Sequence, residues 1–439
     1  MRKLTVKNFS VIKDAETTPL EFGKITVLIG PQSSGKSLLC KLAYFISAQL
    51  PILTVDAVAS GQSWNMFESF VIQKFGEWFP LEGWGLDPIS IKFQAYDYEV
   101  EFCGSRRDGS DQQLRVEFSH KFVDVYSNLK KEREQFDALE SLHSERFKER
   151  AWGEIMRLIN PSILERTTFI PAGRSLFVNT ATGYAALSNT DIDPLIKLFA
   201  QEISWKTTQW KSGLVTSGRD VTQKISRKFG HIMRGQVVVQ ANTPVFQSDD
   251  NRVLPLSFLS SGTQELLPLF NVLERKMYWQ EHEVVYTDLV PGFTKSPISP
   301  SGTSPLIFVE EPEAHIFPNT QYEVVRLFAW LTNDPILNFQ WVIATHSPYI
   351  LSSFNNLIEA GQAARSNPAL HDEIAKIVPE QYWIKEGDFK AYAIEDGKLR
   401  SILNESGFIE GNYLDQVSEV IGNEFDKLLR LEYEHTKAS

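Results

Sequence analysis

The chain has 439 residues, 44 Lys and Arg against 55 Asp and Glu for a net charge of -11, with 42% hydrophobic and 23% charged residues. That is a globular composition, long enough for a large core, without the global basic footprint of a nucleic-acid binder, although a local basic groove stays open. No apolar run is read as reaching the ~18 residues of a membrane span, and the only two cysteines, Cys40 and Cys103, form no Cys-x-x-Cys pair, which argues against a disulfide framework or structural zinc and for a reducing cytoplasm.

The N-terminus, Met1-Arg2-Lys3-Leu4-Thr5-Val6, alternates polar and apolar residues and lacks the apolar core of a signal peptide. Leu4, Val6 and Phe9 precede a turn, and Ile25-Thr26-Val27-Leu28-Ile29 reads as a buried strand. A glycine-rich loop follows, then a helix from Ser37 to Leu50 with Leu38, Leu42, Phe45 and Ile46 at helical spacing. Residues 51–164 read as an insertion: a hairpin over Ile89–Phe102, a polar turn at Gly104–Gln113, and a helical arm over 120–160. One face of that arm carries Val125, Leu129, Phe136, Leu139 and Phe147. Its other face carries six basic against six acidic residues, as expected of a solvated surface. Phe169-Ile170-Pro171-Ala172-Gly173-Arg174 reads as the return to the core, followed by helix to about Arg227. Val237–Val239, Pro305–Val309 and Trp341–Ala344 are further strands, and Pro291–Pro305 is a loop. Alternating strands and helices predict an α/β fold, with a core from 1–50 and 165–360 and a C-terminal extension over 361–439. In that extension, Leu414, Val417, Ile421, Phe425 and Leu428 keep the spacing of one helix face.

Four segments carry chemistry. Gly30-Pro31-Gln32-Ser33-Ser34-Gly35-Lys36-Ser37 matches G-x-x-x-x-G-K-[ST] between a strand and a helix. Its glycines let backbone N–H groups turn toward phosphate oxygens, Lys36 supplies a charge to the β- and γ-phosphates, and Ser37 is placed to ligate Mg2+. The strand Leu306–Val309 ends in Glu310-Glu311. Neighbouring residues on a strand point to opposite faces, so Glu310 is assigned to the metal, through water, and Glu311 to activating the attacking water. Ser260-Ser261-Gly262 opens a helix expected to begin near Leu266, a second anion-binding device. One phosphate loop does not need two such devices, so this one is expected to cap the γ-phosphate of ATP held by another copy. Trp341–Thr345 ends in His346, within expected reach of a γ-phosphate oxygen or the attacking water.

In this order the four motifs resemble the ABC-type ATPase heads of the SMC, RecF and OLD-like group, with a central mixed sheet and a helical insertion. Leu4-Thr5-Val6-Lys7-Asn8-Phe9, Ile170-Pro171-Ala172-Gly173-Arg174 and Glu311-Pro312-Glu313-Ala314-His315 resemble that group in particular. The resemblance implies ATP sandwiched between two heads, Ser260 and Gly262 of one facing Lys36 of the other, with Pro312–His315 joining the two sites. Most relatives carry Asp where this chain has Glu310. About 90 residues follow His346, with no cluster resembling a Toprim metal site, and the insertion is far shorter than an SMC arm. A stand-alone head of this kind resembles the ATPase subunits of two-gene phage-defence systems, PARIS first, then the Septu and retron-associated ATPases. That implies a homo-oligomer of even number, a separate effector protein, in particular a Toprim nuclease, and a phage-encoded protein as trigger. The alternative is a DNA-repair or DNA-maintenance ATPase of the RecF/SMC type. A transporter motor fits poorly with the long insertion.

Overall fold

The computed structural model describes residues 2–85, 87–105, 113–136, 142–159, 165–178, 192–212, 220–241, 243–289, 304–411 and 424–428. Strands β1 (Arg2–Phe9), β2 (Ile12–Asp14) and β3 (Leu20–Glu21) lead into β4 (Ile25–Ile29), buried along its whole length. After the phosphate loop come α1 (Lys36–Tyr44), a π-helical turn at Phe45–Gln49, α2 (Leu50–Ala59) and α3 (Trp64–Trp78). Strands β5 (Ile89–Ala95), β6 (Tyr98–Ser105) and β7 (Gln113–Phe118) precede α4 (His120–Phe136) and α5 (Leu142–Ile159). Then follow β8 (Glu165–Ile170), α6 (Pro194–Ser212), α7 (Asp220–Met233), and the small sheet of β9 (Gly235–Gln240), β10 (Thr243–Ser248) and β11 (Val253–Pro255). The last elements are α8 (Ser261–Leu289), β12 (Ser304–Glu310), α9 (Pro318–Asn333), β13 (Gln340–Thr345), α10 (Pro348–Ser366), α11 (His371–Ile377), β14 (Phe389–Glu395) and β15 (Lys398–Ser401).

The main sheet runs β7-β6-β5-β1-β2-β15-β14-β4-β13-β12-β8, with β3 on β1. Strands β14, β4, β13, β12 and β8 are mutually parallel, whereas β5, β6 and β7 continue antiparallel from β1. The fold is mixed α/β, as expected. The sheet draws on all three segments read from the sequence: β5–β7 come from 51–164, and β14 of 361–439 lies directly beside β4. Side chains alternate between two cores, as strand geometry requires. Along β12, Leu306 and Phe308 join the core under α1–α5, while Ile307 and Val309 join the core under α6–α10.

The 120–160 helices lie against the body of the protein. Leu129 and Phe147 are buried, Lys148 pairs with Asp56 of α2, and Arg150 pairs with Glu132. Their charged face is thus partly engaged in ion pairs, and Leu139 lies outside the described residues. The expectation that no segment has span-like length and composition needs one correction. The continuous helical stretch Lys36–Ala59 qualifies on both counts, and most of it is packed inside the fold. Its apolar character serves that packing: Leu39, Leu42, Phe45, Ile46 and Leu50 are fully buried. Of the proposed C-terminal face, Leu414, Val417 and Ile421 lie outside the described residues, while Phe425 and Leu428 are exposed.

Candidate active site

Parallel pairing brings the motifs together. Glu310 of β12 sits beside Ala344 of β13, and Thr345 of β13 beside Ile29 of β4. The phosphate loop, the acidic pair and His346 therefore all emerge at the carboxyl ends of adjacent strands, where open α/β sheets bind ligands. The segment after β8 emerges there too.

The loop's backbone is committed to an unusual path. Ser33 has φ 60° and Gly35 φ 107°, both in the left-handed region. At the Gly35 φ a side chain is strained, and a Cβ would also stand 2.4 Å from Ile12 Cδ1 of the β1–β2 corner, so the position favours glycine. Lys36 is 5% exposed, and its Nζ donates to the carbonyls of Gly30 and Pro31 at 2.8 Å each. Burial holds its pKa below the ordinary lysine value, opposed first by the nearby Glu311 carboxylate. Ser34 Oγ is buried with no hydrogen-bond partner, an open polar valence inside the loop.

A cavity of about 370 Å³ opens over this loop, lined by Gln32 to Leu38, Glu310, Glu311, Ala344 and His346. Ser10 and Val11 of the β1–β2 corner complete it. Sequence reading passed over those two, marking only a turn there; positive φ at Asn8 and Ser10 is what folds that corner back over the loop.

The two adjacent acids occupy different surroundings. Glu310 Oε2 accepts from the Ala172 N–H at 3.2 Å, and its carboxylate also bonds Ser37. Burial raises its pKa, and those two hydrogen bonds pull it back. Glu311 leaves the strand with φ 43°, and its side chain is 45% exposed. Its Oε1 lies 3.6 Å from His346 Nε2. The Glu313 carboxylate accepts from the His346 N–H at 2.7 Å, which ties the residues after the acidic pair to the end of β13.

Among the described residues no cluster of three or more His, Cys, Asp or Glu is built to hold a metal. One hydroxyl and one carboxylate, Ser37 with Glu310, suit Mg2+, which binds few protein ligands and completes its shell with water and phosphate oxygens. The unpartnered Ser34 hydroxyl and the buried Lys36 likewise fit an anionic phosphate chain. The pocket's lining suits a phosphate chain, with Glu311 and His346 sharing its wall with the loop residues Gln32 to Leu38.

Ser260, Ser261 and Gly262 do not line this cavity. They open α8 at Ser261, five residues earlier than expected. Ser260 makes the early start possible: its Oγ lies 3.4 Å from the Thr263 N–H and its carbonyl accepts from Gln264 at 2.9 Å. Pro268 falls within the helix without ending it. A Cβ on Gly262 would stand 2.8 Å from the His315 carbonyl oxygen, so this helix start is packed against the turn that follows Glu311.

Arg174 had no role in the sequence reading beyond its place in a resembling segment. It is fully buried and bonded to four backbone carbonyls, those of Glu265, Pro171, Glu310 and Glu311. Nothing in its local sequence marks it, because three of its four partners come from α8 and the end of β12.

The AAA ATPase domain family matches residues 176–351, which span the Ser260–Gly262 helix start, the acidic pair and His346. The chain is an ATPase. No curated protein matches it. Among solved structures, the SMC head bound to the C-winged-helix domain of ScpA has 13% identity and a TM-score of 0.42, covering 92% of this ATPase and 97% of that chain. The SMC head domain from Thermotoga maritima has 11% identity, TM-score 0.33, and coverage of 92% and 98%. The Smc head with an extended coiled coil bound to the C-terminal domain of ScpA, derived from Pyrococcus furiosus, has 12%, 0.37, and coverage of 92% and 96%. Likeness of this order says nothing about the partners of this ATPase.

Proposed function

We propose that two copies of this ATPase meet face to face, each closing the other's nucleotide site with Ser260, Ser261 and Gly262. One observation carries the reading: a Ser-Gly helix start, suited to an anion, lies outside its own phosphate cavity yet packs against the turn leading from Glu311. Large apolar side chains flank the same motifs in the open: Phe258 before the helix start, Phe317 after the acidic turn, Tyr349 after His346 and Leu176 after Arg174 are 54–78% exposed. Apolar groups in such positions suit a protein–protein contact. In this reading Lys36 and the loop N–H groups hold the triphosphate. Glu311 takes a proton from the attacking water, and His346 steadies the γ-phosphate. Bound Mg2+ would neutralise phosphate charge, with Ser37 and Glu310 as its protein side.

We place this ATPase in the cytoplasm, as the subunit of a phage-defence system that restrains a separate effector, a nuclease, until a phage protein triggers release. That assignment rests on the resemblance of its motifs to such subunits. The sandwich itself is tested by specific activity at saturating ATP as a function of chain concentration. A second-order rise to a plateau is expected; activity independent of concentration would overturn it.

A second reading has its own support. Arg227, Lys228, His231 and Arg326 line another cavity of about 350 Å³ in a chain of net charge -11, with Glu323 their single acidic neighbour there. A local basic site of this kind suits a phosphate backbone and a DNA-maintenance role. DNA binding that weakens steeply with salt, and weakens further in Arg227→Ala, would favour it.

A further inference from the structure

We propose that Arg174 is a positioning residue that links the γ-phosphate cap offered to one nucleotide with the catalytic carboxylate serving the other. The proposal rests on the sandwich reading, in which Ser260–Gly262 of a chain engage ATP held by a second copy while its Glu311 serves its own ATP.

The guanidinium sits where β8, α8 and the end of β12 meet. Nε donates to the Glu265 carbonyl at 3.0 Å and lies 3.5 Å from the Glu265 carboxylate, one turn into α8. Nη1 donates to the Glu310 carbonyl at 2.8 Å and to Pro171 at 3.3 Å; Nη2 donates to the Glu311 carbonyl at 3.0 Å. One rigid planar group thus spans the helix that carries the cap and the two residues that carry the acids. Glu311 sits at φ 43°, a conformation a non-glycine residue holds only when its surroundings impose it. Its carbonyl also accepts from Ala314 N at 3.0 Å, so two donors pin the peptide that aims the side chain.

A second contact runs beside the first. Gly262 abuts the His315 carbonyl so closely that no side chain would fit. The start of α8 and the turn after Glu311 are therefore joined twice, by close packing at Gly262 and by the Arg174 fork. A displacement of the helix start on meeting a partner's nucleotide must pass to the Glu311 peptide. Scaffolding alone does not explain the arrangement. Arg174 and Glu265 are 0% and 2% exposed, and a buried ion pair can often be replaced by apolar residues of similar volume without loss of stability. Two of the arginine's bonds go instead to the carbonyls of Glu310 and Glu311 at the catalytic strand end.

The experiment compares Arg174→Lys and the double variant Arg174→Met/Glu265→Met with the parent chain. Lysine keeps the charge opposite Glu265 but cannot hold the separate carbonyls in one plane; the double variant removes both charges together. Both are expected to lose some melting temperature for the carbonyls left without a donor yet stay folded at the assay temperature, to keep KM for ATP within about threefold, and to lose at least about tenfold in kcat. Placed in a Glu311→Gln background, both should still form the ATP-dependent dimer, since the cap and the phosphate loop are untouched. A kcat within about twofold of the parent in either folded variant overturns the proposal. So does loss of folding or of ATP binding in both variants, which would make Arg174 a structural ion pair. The sandwich reading fails on a different sample, the parent chain, by activity that ignores its concentration.

Discussion

The chain opens two helices with small residues suited to an anion, and the two starts differ in everything around them. At α1 the loop closes on itself: Lys36 is buried, Ser33 and Gly35 hold left-handed backbone, and Glu310, Glu311 and His346 gather across one cavity. At α8 the start faces outward. Ser260 and Ser261 are exposed, and the chain's own phosphate cavity does not include them. In the sandwich reading the first start is a site lacking a lid, and the second a lid lacking a site. A helix N-terminus alone offers half a site; strand order decides which half, because only the first start faces Glu310 and Glu311 across a shared cavity.

The difference predicts distinct losses at the two starts. The largest belongs to Glu311→Gln, whose amide cannot take a proton from water. We expect kcat to fall by ~10²–10⁴, with ATP affinity retained in an equilibrium binding assay. Turnover at the parent rate would remove Glu311 from the chemistry.

Ser261→Glu comes next and probes the outward start. An acid in the first turn suits the helix dipole, so the melting temperature should hold or rise. The same charge would repel a partner's γ-phosphate, so kcat should fall by about 10² while each chain still binds ATP. Gly262 is a poorer site for this test, since any side chain there would meet the His315 carbonyl of its own chain. Parent-level activity in Ser261→Glu would mean that α8 caps nothing.

Lys36→Ala probes the enclosed start. Loss of one charged donor to phosphate should weaken ATP binding by roughly 10–100-fold in calorimetry. Unchanged affinity would mean that Lys36 stays on the Gly30 and Pro31 carbonyls when nucleotide is bound.

The smallest effect separates the two acids. Burial raises the Glu310 pKa, so the folded chain keeps that proton to higher pH than the unfolded chain does. Without nucleotide, stability should therefore fall as pH rises from the ordinary carboxylate range through the raised value. Glu310→Gln should cancel that slope and raise the melting temperature by on the order of 2 °C at neutral pH, with the gain vanishing in acid. A loss of stability at neutral pH would show that the charge of Glu310 supports the nucleotide-free fold.

The enclosed start was legible because its signals are contiguous: the strand Ile25–Ile29, the loop and Lys36-Ser37 stand in one stretch, and the acidic strand end and His346 each follow an apolar run. What escaped depends on topology. Ser10 and Val11 reach the cavity because β1 and β2 fold over the loop, and β14 reaches the centre of the sheet from beyond residue 361. Arg174 acquires its partners only because β8 pairs with β12 and α8 passes beneath both strand ends. The start of α8 was misplaced for a local reason: the capping contacts of Ser260 carry helical geometry back to Ser261, ahead of the apolar residues that suggested Leu266.

Closure of the site in trans requires the two kinds of helix start to meet between chains. Light scattering on the Glu311→Gln chain, with and without ATP and Mg2+, tests this most directly. We predict a shift on adding ATP to twice the 50.0 kDa chain mass or an even multiple of it, abolished by Ser261→Glu. A mass that stays at one chain with ATP bound would contradict the account.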